Sequence, residues 1–261
     1  MIKKFSAIIL STVLLMMLFL QLGKGQHLAL AKQEEPLELA KEQWSQLWEI
    51  GKKIRSESVL ITIKWQGAWQ SKLTSEKAAS DLANTLGLSA LTSHNFQGHE
   101  QYTVSTMEGQ TKITLTVTDQ ENGTYYVLMR LEATRKQDVS KLEELQQYYG
   151  ELLVKAGVSL QWNGAIQGEV LPDPPSSEYK NTEEATITKL ESVIRGHWNE
   201  LTVIDRYHDG NTSNRSYRVD TLPLFVQSGD QILNLQLAIH HNIQTGKQEV
   251  AIGSPVLTVE Y

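Results

Sequence analysis

The tetrapeptide Trp65-Gln66-Gly67-Ala68 returns 97 residues later as Trp162-Asn163-Gly164-Ala165. That return limits what this chain of 261 residues can fold into more than any other feature. The apolar residues before it return at the same offset, with Ile61 and Ile63 falling on Val158 and Leu160. Farther on, Tyr102-x-Val104 matches Tyr217-x-Val219, and the turn Asn122-Gly123 matches Thr245-Gly246. Four landmarks in one order predict an internal duplication, with insertions in the second copy. One insertion is the stiff, loop-like segment 171–177, Leu-Pro-Asp-Pro-Pro-Ser-Ser.

Hydrophobic period divides the chain accordingly, into residues 37–137 and 138–261. In the first part, Leu37, Ala40, Trp44, Leu47, Trp48, Gly51 and Ile54 recur mostly at three and four, the mark of an amphipathic helix. Val59, Ile61, Ile63 and Trp65 alternate as a strand that ends in the Gly-Ala pair. A second helix carries Ala78, Ala79, Leu82 and Leu86 and stops at Gly87. Strands follow around residues 102–107, 113–117 and 125–131, the last two joined by the Asn122-Gly123 turn.

The second part repeats the order. A helix capped by Asp138 bears Leu142, Leu145, Tyr148 or Tyr149, and Leu152, and stops near Gly157. A strand carries Val158, Leu160 and Trp162. A second helix follows Asn181, with Glu184 as a capping-box partner, and bears Ile187, Leu190, Ile194 and Trp198. Three strands close the chain, at 217–219, 233–239 and 250–261. The predicted fold class is α+β, with two layers: helices on one face of a mainly antiparallel sheet, and water on the other. Thr62, Lys64, Thr114, Thr116, Ser159, Gln161, Asn234, Gln236 and His240 alternate with the buried set and are expected on the wet face.

Residues 1–31 read as a secretory signal peptide. Lys3 and Lys4 precede an uncharged apolar run at 5–20, and Ala29-Leu30-Ala31 offers a cleavage site before a polar stretch. Retention of this segment as a membrane anchor is the competing outcome. An exported protein is expected at the cell envelope or beyond it. The chain has no cysteine, which removes disulfides, thiol nucleophiles and thiolate metal sites. Without the leader, 21 basic side chains face 30 acidic ones, a net charge of −9. That balance opposes nucleic acid as a partner, since polyanion binders carry a basic surplus.

The leader, the duplicated unit and the W-x-G-A tetrapeptide together resemble the YwmB family of exported proteins from Gram-positive bacteria. The resemblance implies a duplicated fold like that of TATA-box-binding proteins, in a family with no established biochemical activity. DNA binding does not follow from it. A minor-groove sheet needs cations and bulky apolar wedges, whereas the expected wet face offers Lys64 and Lys112 among neutral polar residues.

Sites for chemistry are scarce. His240 and His241 are neighbours on a strand and point to opposite faces, so they share no metal. His94 and His99 flank a glycine-containing loop near Glu100 and lack a further donor. Residues 205–211, Asp-Arg-Tyr-His-Asp-Gly-Asn, read as a polar turn without the ligand spacing of a calcium loop. Trp44, Trp48, Trp65, Trp162 and Trp198 read as core, and Trp69 is the candidate for an exposed stacking platform. No catalytic, cofactor or metal residue is assigned. The expectation is a non-enzymatic module that binds an envelope protein or polymer through its polar sheet face or a free edge. The alternative is an exported hydrolase or polysaccharide-modifying enzyme with its site between the two copies.

Overall fold

A computed structural model describes residues 35–53, 59–134, 138–170, 183–198 and 200–258. The leader, the insertion at 171–177 and Asn181 of the expected capping box lie outside the described residues. Four helices are present among those described: α1 (Glu35–Gly51), α2 (Ser75–Thr85), α3 (Val139–Lys155) and α4 (Glu183–Arg195). None is long and apolar enough to cross a membrane.

Ten strands form one antiparallel sheet. They are β1 (Val59–Gln70), β2 (Thr92–Phe96), β3 (His99–Glu108), β4 (Thr111–Asp119), β5 (Thr124–Ala133), β6 (Gln161–Val170), β7 (Leu201–Asp209), β8 (Thr212–Val219), β11 (Leu235–Asn242) and β12 (Lys247–Ser254). The short strands β9 (Val226–Ser228) and β10 (Gln231–Leu233) make a separate hairpin. The large sheet runs β2-β3-β4-β5-β1-β6-β12-β11-β8-β7. Counted outward from the central β1–β6 pair, each side holds four strands whose neighbours meet antiparallel. Trp65 sits directly opposite Trp162 in that central pair.

Parity along the strands sorts the side chains, because neighbours on a strand point to opposite faces. Tyr125, Val127, Met129, Leu131 and Ala133 on β5 are buried, as are Ile61, Ile63 and Trp65 on β1. This is the face the helices cover. The indole N–H of Trp65 donates to the Gln146 carbonyl of α3 at 2.9 Å, and that of Trp162 to Gln146 Oε1 at 3.3 Å. Trp44 of α1, fully buried, stacks on Trp48 at 6.1 Å.

The W-x-G-A tetrapeptide is not a strand end. Both strands run through it, β1 to Gln70 and β6 to Val170. Its glycines serve close approach rather than a turn. A Cβ on Gly67 would strike the Ser159 carbonyl, and one on Gly164 would lie 2.7 Å from the Trp162 ring. Residues 158–160 precede β6 rather than belong to it, although the Ser159 N–H still donates to Ala68 O at 2.9 Å.

Other boundaries also move. Residues 205–209 belong to strand β7, with a bulge between Val203 and Asp205, and only Gly210-Asn211 turns the chain into β8. His94 and His99 lie on a hairpin of β2 and β3 whose turn is Gln97-Gly98, both residues at positive φ. Among the described residues, strand formation beyond 250 stops at Ser254. Asp138 holds the N-terminal cap position of α3 but makes no capping hydrogen bond with its side chain. Gly87 and Gly157 follow α2 and α3 with φ of 71° and 83°, the stop signal expected.

Candidate functional site

The face opposite the helices is the candidate surface. Strand parity places Thr62, Lys64, Thr114, Thr116, Gln161, Gln236 and His240 on it, as the sequence predicts, but not all of them are exposed. Thr62 and Thr114 point to this face and are nonetheless buried, at 4% and 7% exposure. Near the middle of a ten-stranded sheet a short side chain lies below longer neighbours. Thr62 is flanked by Glu132 across the β1–β5 line, one strand away, while Thr114 bonds Ser105 at 3.0 Å and faces Arg130. Asn234, expected to be wet, is taken up by backbone groups at the end of β8. It is buried between β10 and β11, accepting from the Val219 N–H and donating to the Val219 and Leu222 carbonyls.

The segment after β12 occupies part of the face. Asn163 on β6 donates from Nδ2 to the Val256 carbonyl at 2.6 Å and accepts at Oδ1 from the Thr258 hydroxyl at 2.8 Å. Lys64, directly opposite Asn163 on β1, donates to the Thr258 carbonyl and hydroxyl. Gln236 on β11 accepts from the Leu257 N–H at 2.7 Å and is itself oriented by a 2.9 Å bond to Ser216. Sequence reasoning placed Lys64 and Gln236 on this face and passed over Asn163. The signal for Asn163 was its place as the variable residue of W-x-G-A, which parity turns away from the two tryptophans beside it.

Three further cations on this face are matched by acids. Lys112 and Arg130 both lie against Glu132, and Lys247 pairs with Glu169 at 2.7 Å. The outer strands β2 and β7 each leave one edge without a partner strand among the described residues. The two edges differ. β7 carries Asp205, Arg206, His208 and Asp209 and a bulge, features that discourage strand addition. β2 is short and exposed throughout, with Phe96 its one large apolar side chain.

Trp69 is not a stacking platform. It is 8% exposed, donates to the Ala156 carbonyl at 2.9 Å and packs on Tyr125 at 5.5 Å between ring centres. Its parity on a strand longer than expected turns it toward the helices. Trp44, Trp65, Trp162 and Trp198 are core as read, and Trp48 is partly buried against it. His240 meets Thr212 at 3.0 Å on the open face, whereas His241 points to Glu183 of α4 at 3.8 Å. The two do lie on opposite faces. Among the described residues no three His, Asp or Glu side chains gather as a metal site.

The alternative reading of the sequence places a site at the junction of the two halves. β1 and β6 pair there directly, and the crevice between α1 and α4 nearby measures about 10 Å³ and is lined by Ile50, Leu190, Ile194 and Ile252. That volume barely admits one water. Sequence reasoning also missed a buried ion cluster. Arg215 on β8 forks between Glu191 and Glu184 of α4, and Arg195 reaches Glu191 at 2.9 Å and the Leu201 carbonyl at 3.0 Å. Burial pulls the Arg215 guanidinium down, but the two carboxylates outweigh it and hold its pKa above the usual value. The cluster is closed on itself and ties α4 to the sheet.

Burial also raises several phenols. Tyr126 is pushed up to about 12, and Tyr102, Tyr149 and Tyr217 are raised for the same first cause, with Glu100 adding to the effect at Tyr102. The folded chain thus keeps protons that the unfolded chain releases near its ordinary tyrosine value of about 10. This contribution to stability is complete below pH ~10 and declines as pH rises toward 12. The expected result is that tyrosinate absorbance appears in two stages, the later one together with loss of the circular dichroism signal. A single early titration of all phenols in a chain that stays folded would contradict it.

No family model matches this chain, and no curated protein matches it significantly.

Proposed function

We propose that this is an exported, non-enzymatic binding module of the cell envelope, built by tandem duplication on a plan like that of TATA-box-binding proteins and akin to the YwmB family. The mirror-like strand order about the Trp65–Trp162 pair supports the duplication. The observation that carries the binding function is the open face itself. It presents Thr, Gln, Asn and Ser side chains at strand spacing, and backbone groups of the segment after β12 already engage two of them, Asn163 and Gln236, together with Lys64. Pairing of Lys112, Arg130 and Lys247 with acids on the same face argues against phosphate, and so against nucleic acid.

The test uses a photoreactive residue at one of two exposed positions, Gln161 on the open face or Lys41 on α1. Cells are irradiated and the adducts resolved. A discrete envelope adduct from position 161 and none from position 41 is expected, on a chain whose N-terminus is Lys32. Adducts only from position 41, or binding of duplex DNA by the purified chain at physiological salt, overturn the reading.

A further inference from the structure

The alanines of the two W-x-G-A tetrapeptides face different partners on the open side of the sheet. Ala68 lies opposite Tyr126, and Ala165 lies opposite Gly253. Where the first half carries a large ring, the second half carries no side chain. Into that vacancy goes Leu257. A Cβ on Gly253 would meet Leu257 Cδ2 at 2.7 Å, and Leu257 Cα and the Val256 carbonyl at 3.1 Å. The floor of this trough is therefore Gly253 and Ala165, both buried.

The polar groups around the trough read backbone. Asn163 holds the Val256 carbonyl, Gln236 the Leu257 N–H and Lys64 the Thr258 carbonyl, so three consecutive residues are gripped by main-chain atoms. Two further contacts read the Thr258 hydroxyl, which donates to Asn163 and accepts from Lys64 at 3.1 Å. Side-chain amides and an ammonium directed at successive main-chain groups, beside one apolar slot, are the chemistry of peptide recognition. We propose that this trough is a peptide-binding site, occupied in cis by residues 256–258. Its partner in trans is a peptide segment of another envelope protein with the same pattern: an apolar residue, leucine and a hydroxyl residue. The inference deepens the binding-module reading and rests on it for the origin of the partner.

A tethered segment competes at an effective concentration of about millimolar. The probe is a labelled synthetic peptide with the sequence of residues 254–261. A chain shortened to end at Pro255 is expected to bind it at least ~10-fold more tightly than the full chain does. Gly253→Ala in the shortened chain is expected to weaken binding by about 10-fold or more, because the added methyl enters the leucine slot at a backbone φ that tolerates alanine. Asn163→Ala is expected to act in the same direction. A shortened chain with the full chain's dichroism and cooperative melting that ignores the peptide overturns the proposal, and so does binding indifferent to Gly253→Ala. Where shortening disturbs the fold, Leu257→Asp in the full chain expels the segment instead, and a folded Leu257→Asp protein without peptide binding is equally decisive. Failure here leaves open-face photoadducts standing. Loss of those adducts with peptide binding intact sinks only the envelope-module reading.

Discussion

Trp65→Ala is expected to destabilise the protein by about 3–5 kcal/mol, the range for deleting a buried tryptophan ring. Trp65 is 1% exposed at the centre of the ten-stranded sheet, opposite Trp162 and beneath α3. Its ring lies so close to α3 that a Cβ on Gly150 would be 3.0 Å from two of its carbons and 2.7 Å from Leu37 Cδ2. The alanine variant opens a cavity that neither the sheet nor α3 closes, since both are fixed by backbone hydrogen bonds. Gly150→Ala alone is expected to cost about 1–3 kcal/mol through overpacking. In the Trp65→Ala background the same methyl meets free space on the ring side, so its cost falls. Denaturant unfolding of the four proteins measures this coupling. Strict additivity would show that Trp65 and Gly150 do not share one packing site.

Arg215→Ala is expected to cost about 3 kcal/mol, the lower end of the range for stranding a buried charge. Glu191 is 7% exposed, and without Arg215 its remaining cationic partner among the described residues is Arg195, whose side chain is half in water. Glu184 is well exposed and loses little. For a chain of this size the loss corresponds to a fall in Tm of roughly 6–12 °C. Replacing the pair together, as Arg215→Met with Glu191→Leu, is expected to recover most of the loss, because the desolvation cost of both charges disappears with them. A double variant as unstable as Arg215→Ala would assign the effect to packing instead of charge.

Periodicity alone located α1, α2, α3, α4 and the buried strands β1, β4, β5 and β11, because their apolar positions repeat at three-four or at two over many residues. It missed β2 and β7, whose sequences Thr-Ser-His-Asn-Phe and Leu-Thr-Val-Ile-Asp-Arg-Tyr-His-Asp carry little alternation. An edge strand buries little of either face, so pairing with β3 or β8 sets its conformation. The glycines of W-x-G-A misled for a related reason. Local propensity reads glycine as a break, whereas Gly67 and Gly164 are demanded by a neighbouring carbonyl and a tryptophan ring that only the folded sheet brings near. Trp69 followed from the same error. Once β1 is extended past Gly67, parity alone turns that indole into the core.

The candidate site was legible only in pieces. Lys64 and Gln236 could be assigned to the open face because facing is a local property, set by the pleat. Their meeting with Asn163 over Gly253 could not, since β1, β6, β11 and β12 supply these residues from 64 to 253 and only the strand order makes them neighbours. The amino-acid pattern by itself determined the element types, the repeated W-x-G-A spacing and the two faces of each strand, all of which depend on residues a few positions apart. Tertiary structure alone decided which strand is central, which glycine leaves a slot and what fills it, because those depend on the register between segments far apart in the chain.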